Sequence, residues 1–250
     1  MDDEQEEQNM FAVNMFKVDE NEEETTYSED EREYDRGGGY SDGSSNIIPG
    51  SNIPMAALGV WILWLGWFGF NGGSELVVSN EAAAIAVSQV FLNTNIAAAG
   101  GVVATLVTSQ IVTGKMDITM AMNGAIAGLV AITAAPSAPT AGAALMIGAV
   151  GGVIVYFSLI ILDRRFGIDD PVGAISAHGV VGIWGVMAVV FTGGSLVSQF
   201  VGVVAIAGFT YVMSLLTILF INRFITIRAT DEEQELGLDV SEIGVKSTTY

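Results

Sequence analysis

From Pro54 to Asn222 the apolar residues fall into six long, nearly unbroken stretches, at about 54–73, 82–112, 118–134, 139–162, 172–192 and 197–222. Crossing ~30 Å of hydrocarbon takes about 20 apolar residues in a helix, so each stretch predicts one span. The second is long enough to tilt or to contain an interruption, and the third is short. The alternation that a closed β-barrel requires is missing. Gly124 with Gly128, and Gly148 with Gly152, are small residues four apart amid many alanines, a spacing that lets helix backbones approach closely. Gln89, Asn93, Thr94 and Asn95 place polar groups in the second stretch, where they either cross-link helices or line a pore.

The first 50 residues are of another kind. They carry 16 acidic residues against Lys17, Arg32 and Arg36, a net of −13, so the other 200 residues hold only −6 of the total −19. With Gly37-Gly38-Gly39 and no apolar period, residues 1–50 are expected to be a disordered acidic cytoplasmic extension. The low pI therefore describes a tail and not the body. Residues 51–228 then form the membrane region and 229–250 a cytoplasmic C-terminal tail. A chain that is 51% hydrophobic and 15% charged, with 30 glycines and a mean hydropathy of +0.52, suits an all-α, polytopic transmembrane helix bundle. No secretory signal is visible, because the N-terminus is acidic and polar.

Basic residues fix the expected orientation, since they favour the cytoplasmic side. Lys115 follows the second stretch, Arg164 and Arg165 the fourth, and Arg223 and Arg228 the sixth. The intervening connections, at about 74–81, 135–138 and 193–196, contain neither Lys nor Arg. Six spans with both termini in the cytoplasm satisfy every position; five or seven do not.

His178, the only histidine, lies inside an uncharged apolar run. An ionisable group at membrane depth either bonds a neighbouring helix or marks a substrate or proton path. A neutral imidazole, with one donor and one acceptor nitrogen, can do this without the full cost of a fixed charge. Upstream, Asp170-Pro171 has the form of an N-cap and first-turn pair. If the helix begins there and ends near Thr192, His178 lies roughly 6 Å from its middle at ~1.5 Å per residue. The first stretch ends Trp64-Leu65-Gly66-Trp67-Phe68-Gly69-Phe70-Asn71-Gly72-Gly73-Ser74. Its rings are either interfacial anchors or, with the hydroxyl of Ser74 four residues after Phe70, a π-face beside an acceptor that could hold a small desolvated cation.

Gly66-Trp67-Phe68-Gly69-Phe70-Asn71 with Gly73-Ser74, Asn93-Thr94 before Ala97-Ala98-Ala99, Asp169-Asp170 with His178-Gly179, and Gly237-Leu238-Asp239 resemble the ammonium transporter family in order and spacing. The resemblance runs from about Ile53 to Tyr250 and covers the second half of that fold, its helices 6 to 11. It implies that Phe70 is one ring of an outer phenylalanine gate, that Ser74 belongs to an outer ammonium-recruitment site, and that Trp67, in the same motif, is a substrate-binding or pore residue. It implies further that His178 is one of two stacked pore histidines and that Asp170 is an acid near the inner end. The family's trimeric assembly, its plasma-membrane location and its regulation by PII signal proteins come with it as expectations. Three features depart from the pattern. The counterpart of the first five helices, with the second gate ring, the second histidine, the recruitment-site tryptophan and the acid that supports ammonium binding, is not in this sequence. Gly173 stands where many members have an acid, and Val240-Ser241-Glu242-Ile243 replaces a common His-Gly-Glu element.

No nucleophile and base pair, metal-ligand cluster or phosphate loop is present, and there is no cysteine. The expectation is therefore a non-enzyme without metal or cofactor, embedded in lipid, binding ammonium or ammonia and no nucleic acid. A half-pore completed by a first-half chain is weighed against a non-transporting or ammonium-sensing membrane subunit and against an inactive remnant.

Overall fold

The structure, a computed structural model, describes residues 52–245. The expected disordered extension at 1–50 lies outside them. Six apolar helices follow one another without a strand among the described residues: α1 Ile53–Gly73, α2 Glu81–Thr113, α3 Ile118–Ile132, α4 Ala141–Phe166, α5 Ile175–Thr192 and α6 Leu196–Asn222. A short helix, α7, covers Asp231–Leu236. Five of the six apolar helices are long enough to cross a membrane. The third, with 15 residues, would rise only ~22 Å, and its chain continues through turns over 133–139.

Helix starts are set by side chains that accept orphan amides. Asn52 accepts from Met55 and Asn80 from Ala83, Asp117 from Thr119 and Met120, and Thr140 from Ala143. These polar residues stand immediately before apolar runs, which is why the boundaries are sharp. The second stretch is uninterrupted: α2 has 33 residues and extends ~50 Å, so it must tilt or project.

The core is a three-helix contact among α2, α3 and α4. On α2, Ala97, Gly101 and Thr105 form a row at four-residue spacing. Gly124 and Gly128 of α3 press on that row from one side, and Gly148 and Gly152 of α4 from the other. A Cβ on Gly128 or Gly148 would fall inside contact with the carbonyl oxygen of Ala97. The Thr105 hydroxyl lies 2.8 Å from the Gly101 carbonyl and 3.0 Å from that of Gly152, so one proton serves both the helix and its neighbour. Ile132, Ile147, Val155 and Val181 fill the remaining space.

Side-chain bonds then fasten the two ends. At one end, Asn93 donates to the carbonyls of Pro136 and Pro139, each at 2.8 Å, and Trp184 Nε1 donates to Ile147 O at 3.0 Å. Asn93 and Thr94 are thus interhelical fasteners, while Asn95 is exposed. At the opposite end, Ser109 donates to Lys115 O and Ser158 to the buried Ser176. Beyond the six apolar helices, Thr230 and Glu233 form a reciprocal capping box on α7, and the two bonds from Thr230 hold the Glu233 carboxyl below its ordinary value.

The packing is lopsided. No residue of α6 is buried, and α6 touches only α5 among the described residues. On α1 only Asn71 and Gly72 are buried. Large apolar side chains such as Trp61, Leu65, Phe200, Val204 and Phe209 stand open, the signature of surfaces made for lipid or for further protein.

Candidate functional site

On α1, Trp67, Phe70, Asn71 and Ser74 share a face because they are three and four residues apart. Two bonds set the rotation of that face. Asn71 donates to Thr94 Oγ1 of α2 at 3.0 Å, and Trp67 Nε1 donates to Thr133 Oγ1, just past α3, at 2.8 Å. With the helix so turned, Phe70 remains 58% exposed and packs edge-on against Trp67, centroid to centroid 5.6 Å. Ser74 donates to Phe70 O at 2.7 Å. A hydroxyl that spends its proton in this way keeps its oxygen lone pairs as acceptors.

The other half of the site is on α5, which opens in a π-helical turn, Ile175–Val180. Such widened turns recur at functional positions. Here the cause is local: the Asp170 carboxylate accepts from Ile175 N at 3.0 Å and from Ser176 N at 2.9 Å. Asp170 is therefore a cap, as its sequence suggested, but it caps at longer reach than an N-cap beside Pro171. The helix starts at Ile175, and His178 falls in its first turn, ~8 Å from the midpoint by rise per residue and not the 6 Å expected.

The His178 imidazole is exposed and stacks on the Trp67 indole, with centroids 6.2 Å apart and planes inclined by 18°. No described protein group bonds either ring nitrogen. Phe70, Trp67 and His178 therefore form one continuous aromatic strip across α1 and α5, with Ser74 at the Phe70 end. Asp170 is not part of the strip; it fixes the turn that presents the imidazole. Thr133 was not singled out by sequence, because an isolated threonine at the end of an apolar stretch gives no sign of a partner 66 residues away.

Gly173, where the resemblance led to the expectation of an acid, is explained by its surroundings. Its φ is +68°, and a Cβ there would run into Asn123 Oδ1, a buried oxygen without a hydrogen-bond partner among the described residues. Asn123 occupies the space an acid would need. Gly173→Asp is expected to cost about 3 kcal/mol, the left-handed backbone and the overpacking together. Asn123→Ala in the same chain should reduce this to about 1 kcal/mol, the backbone part alone. Apparent melting temperatures of the purified single and double variants decide it; equal losses in both would refute the steric account.

A family model described as the Ammonium Transporter Family matches residues 34–248. Ammonium transporter Amt2 of Archaeoglobus fulgidus is 38% identical over 226 residues, covering 81% of this chain and 47% of its own length. The Bacillus subtilis ammonium transporter is 35% identical over 213 residues, covering 78% and 52%. Among solved structures, one described as a Sensor Amt Protein superposes with a TM-score of 0.74 at 36% identity, over 80% of this chain and 52% of that one. Saccharomyces cerevisiae Mep2 gives 0.64 at 27%, over 73% and 45%. The chain spans about half the length of the curated relatives it matches. It is a multi-pass membrane chain by its helices, and it belongs to the ammonium transporter family.

Proposed function

We propose that this chain supplies one wall of an ammonium-conducting pore, the opposite wall coming from the half of the family fold that this sequence does not contain. The observation that carries the reading is the open aromatic strip of Phe70, Trp67 and His178. The strip lies on helices whose outward faces are unburied, where a second wall would stand. Ammonium is drawn to the Phe70 face and the Ser74 oxygen, a cation beside a π-system and an acceptor. Passing inward, it must shed several kcal/mol of hydration to enter an apolar route. Loss of its proton removes the charge whose burial is costly, and the neutral imidazole of His178 offers the ammonia either a donor or an acceptor. Asp170 acts indirectly, by holding the turn that carries His178.

In this reading residues 51–228 are the membrane region, flanked by an acidic extension and a C-terminal tail on the cytoplasmic side of the plasma membrane. Assembly is trimeric, as the resemblance implies, and a PII protein is a candidate regulator. The test is methylammonium uptake by cells making this chain with and without a co-expressed first-half segment of Archaeoglobus fulgidus Amt2. Uptake is expected only with both. If the two halves co-purify and nothing moves, transport is the wrong reading. The similarity to a protein described as a sensor would then favour an ammonium-sensing membrane subunit.

A further inference from the structure

We propose that Thr133 is a positioning residue for the pore imidazole, acting through the Trp67 indole. The hydroxyl of Thr133, the C-cap of α3, spends its only proton on Leu129 O in the last turn of that helix, at 2.7 Å. What remains is an acceptor, and the group facing it at 2.8 Å is Trp67 Nε1, which can only donate. The two are matched in polarity, and neither can be satisfied by the same partner turned round. Leu129 is fully buried in the α2–α3–α4 core, so the acceptor is anchored to a residue packed on all sides.

The consequence reaches α5. Trp67 lies on a helix with only two buried residues, and without a tether its indole could rotate about its side-chain bonds. Held by Thr133, it presents its face to His178 at 6.2 Å and 18°, within the range in which aromatic pairs adopt defined geometries. Asp170 fixes the turn bearing the imidazole. Thr133 fixes the ring against which the imidazole rests. Each half of the stacked pair thus has its own polar tether, reaching it from a different element.

The inference rests on the pore reading for its functional meaning, but its test does not use transport. His178 is the sole histidine, so full-length chain labelled with 15N in the histidine ring and purified without a histidine tag gives the resonances of this ring alone. Thr133→Val keeps the shape and loses the acceptor, Thr133→Ala loses both, and Thr133→Ser keeps the hydroxyl. The imidazole resonances of the Val and Ala variants are expected to move away from wild type toward those of Trp67→Leu, while Thr133→Ser stays with wild type. All four variants are compared as preparations eluting at the wild-type volume. Val and Ala spectra that coincide with wild type while Trp67→Leu is displaced would overturn the role of Thr133. A Trp67→Leu spectrum that coincides with wild type would overturn the stacking itself. Failure of methylammonium uptake leaves both outcomes readable, so loss of the pore reading is distinguishable from loss of this one.

Discussion

Gly148→Ala should collapse the yield of monodisperse protein in detergent, although it adds a single methyl group. The methyl has nowhere to go: its nearest neighbours are the Ala97 carbonyl and Cα of α2, backbone atoms that no rotamer change can move aside. Accommodating it means translating α4 away from α2. That movement also parts Thr105 from Gly152 O and opens the contacts of Ile147 and Val155 in the core. Overpacking costs typically 1–3 kcal/mol where side chains can yield; with a backbone obstacle the expected loss is at least about 3 kcal/mol, against a total stability of roughly 5–15 kcal/mol for a folded domain. Gly128→Ala meets the same carbonyl from α3 and should behave alike. The controls are Gly59→Ala on α1 and Gly208→Ala on α6, where a Cβ meets nothing within 4 Å. There, alanine is expected to be neutral or to gain about 0.5–1 kcal/mol from helix preference. Gel-filtration profiles and apparent melting temperatures of the four variants separate the cases. If Gly148→Ala matches Gly208→Ala, the three-helix contact described here is wrong.

The same glycines show why the membrane region was legible before any coordinates. Small residues four apart have one efficient use in helices that cannot rely on the hydrophobic effect between them, so Gly124, Gly128, Gly148 and Gly152 announced close packing. The partner row of Ala97, Gly101 and Thr105 did not stand out, because α2 is rich in alanine on several faces. Boundaries were readable where Asn80, Asp117 or Thr140 precedes an apolar run. They failed at α5, where Asp170 reaches across to Ile175 and Ser176 instead of capping at Pro171. A carboxylate before a proline specifies a cap, but not the length of loop it spans. The role of Asn93 and Thr94 stayed open in sequence, since an amide in a span serves a pore or a neighbour equally well; the Pro136 and Pro139 carbonyls and the Asn71 amide settled it. The aromatic strip combines residues from two helices more than 100 positions apart, and only the family resemblance brought Phe70, Ser74 and His178 together in advance. Thr133 escaped both approaches. The glycine at position 173 became intelligible only once Asn123 was seen where a side chain would have to go.

In cells making both halves of the fold, His178→Leu is expected to reduce methylammonium uptake by about 30- to 100-fold, roughly 2–3 kcal/mol, the cost of leaving a polar solute without a partner in an apolar route. Leucine has a comparable bulk, so the loss would come from chemistry and not from a collapsed passage. Packing gives little reason for misfolding, because the imidazole is exposed and rests on the Trp67 ring. Ser74→Ala should act differently. Its oxygen stands at the Phe70 end of the strip and, in the proposed route, would offer acceptor lone pairs to a cation still partly hydrated, an interaction worth about 1 kcal/mol. Half-saturation should therefore rise severalfold while maximal uptake is nearly kept, whereas His178→Leu lowers the maximum. The contrast follows from position in the proposed route, where one group meets the cation before desolvation and the other meets the solute after it. Uptake curves for the two variants, corrected for the amount of protein in the membrane, measure it. A His178→Leu assembly that transports like wild type would show that the solute does not pass the imidazole, and the aromatic strip would then be a packing surface.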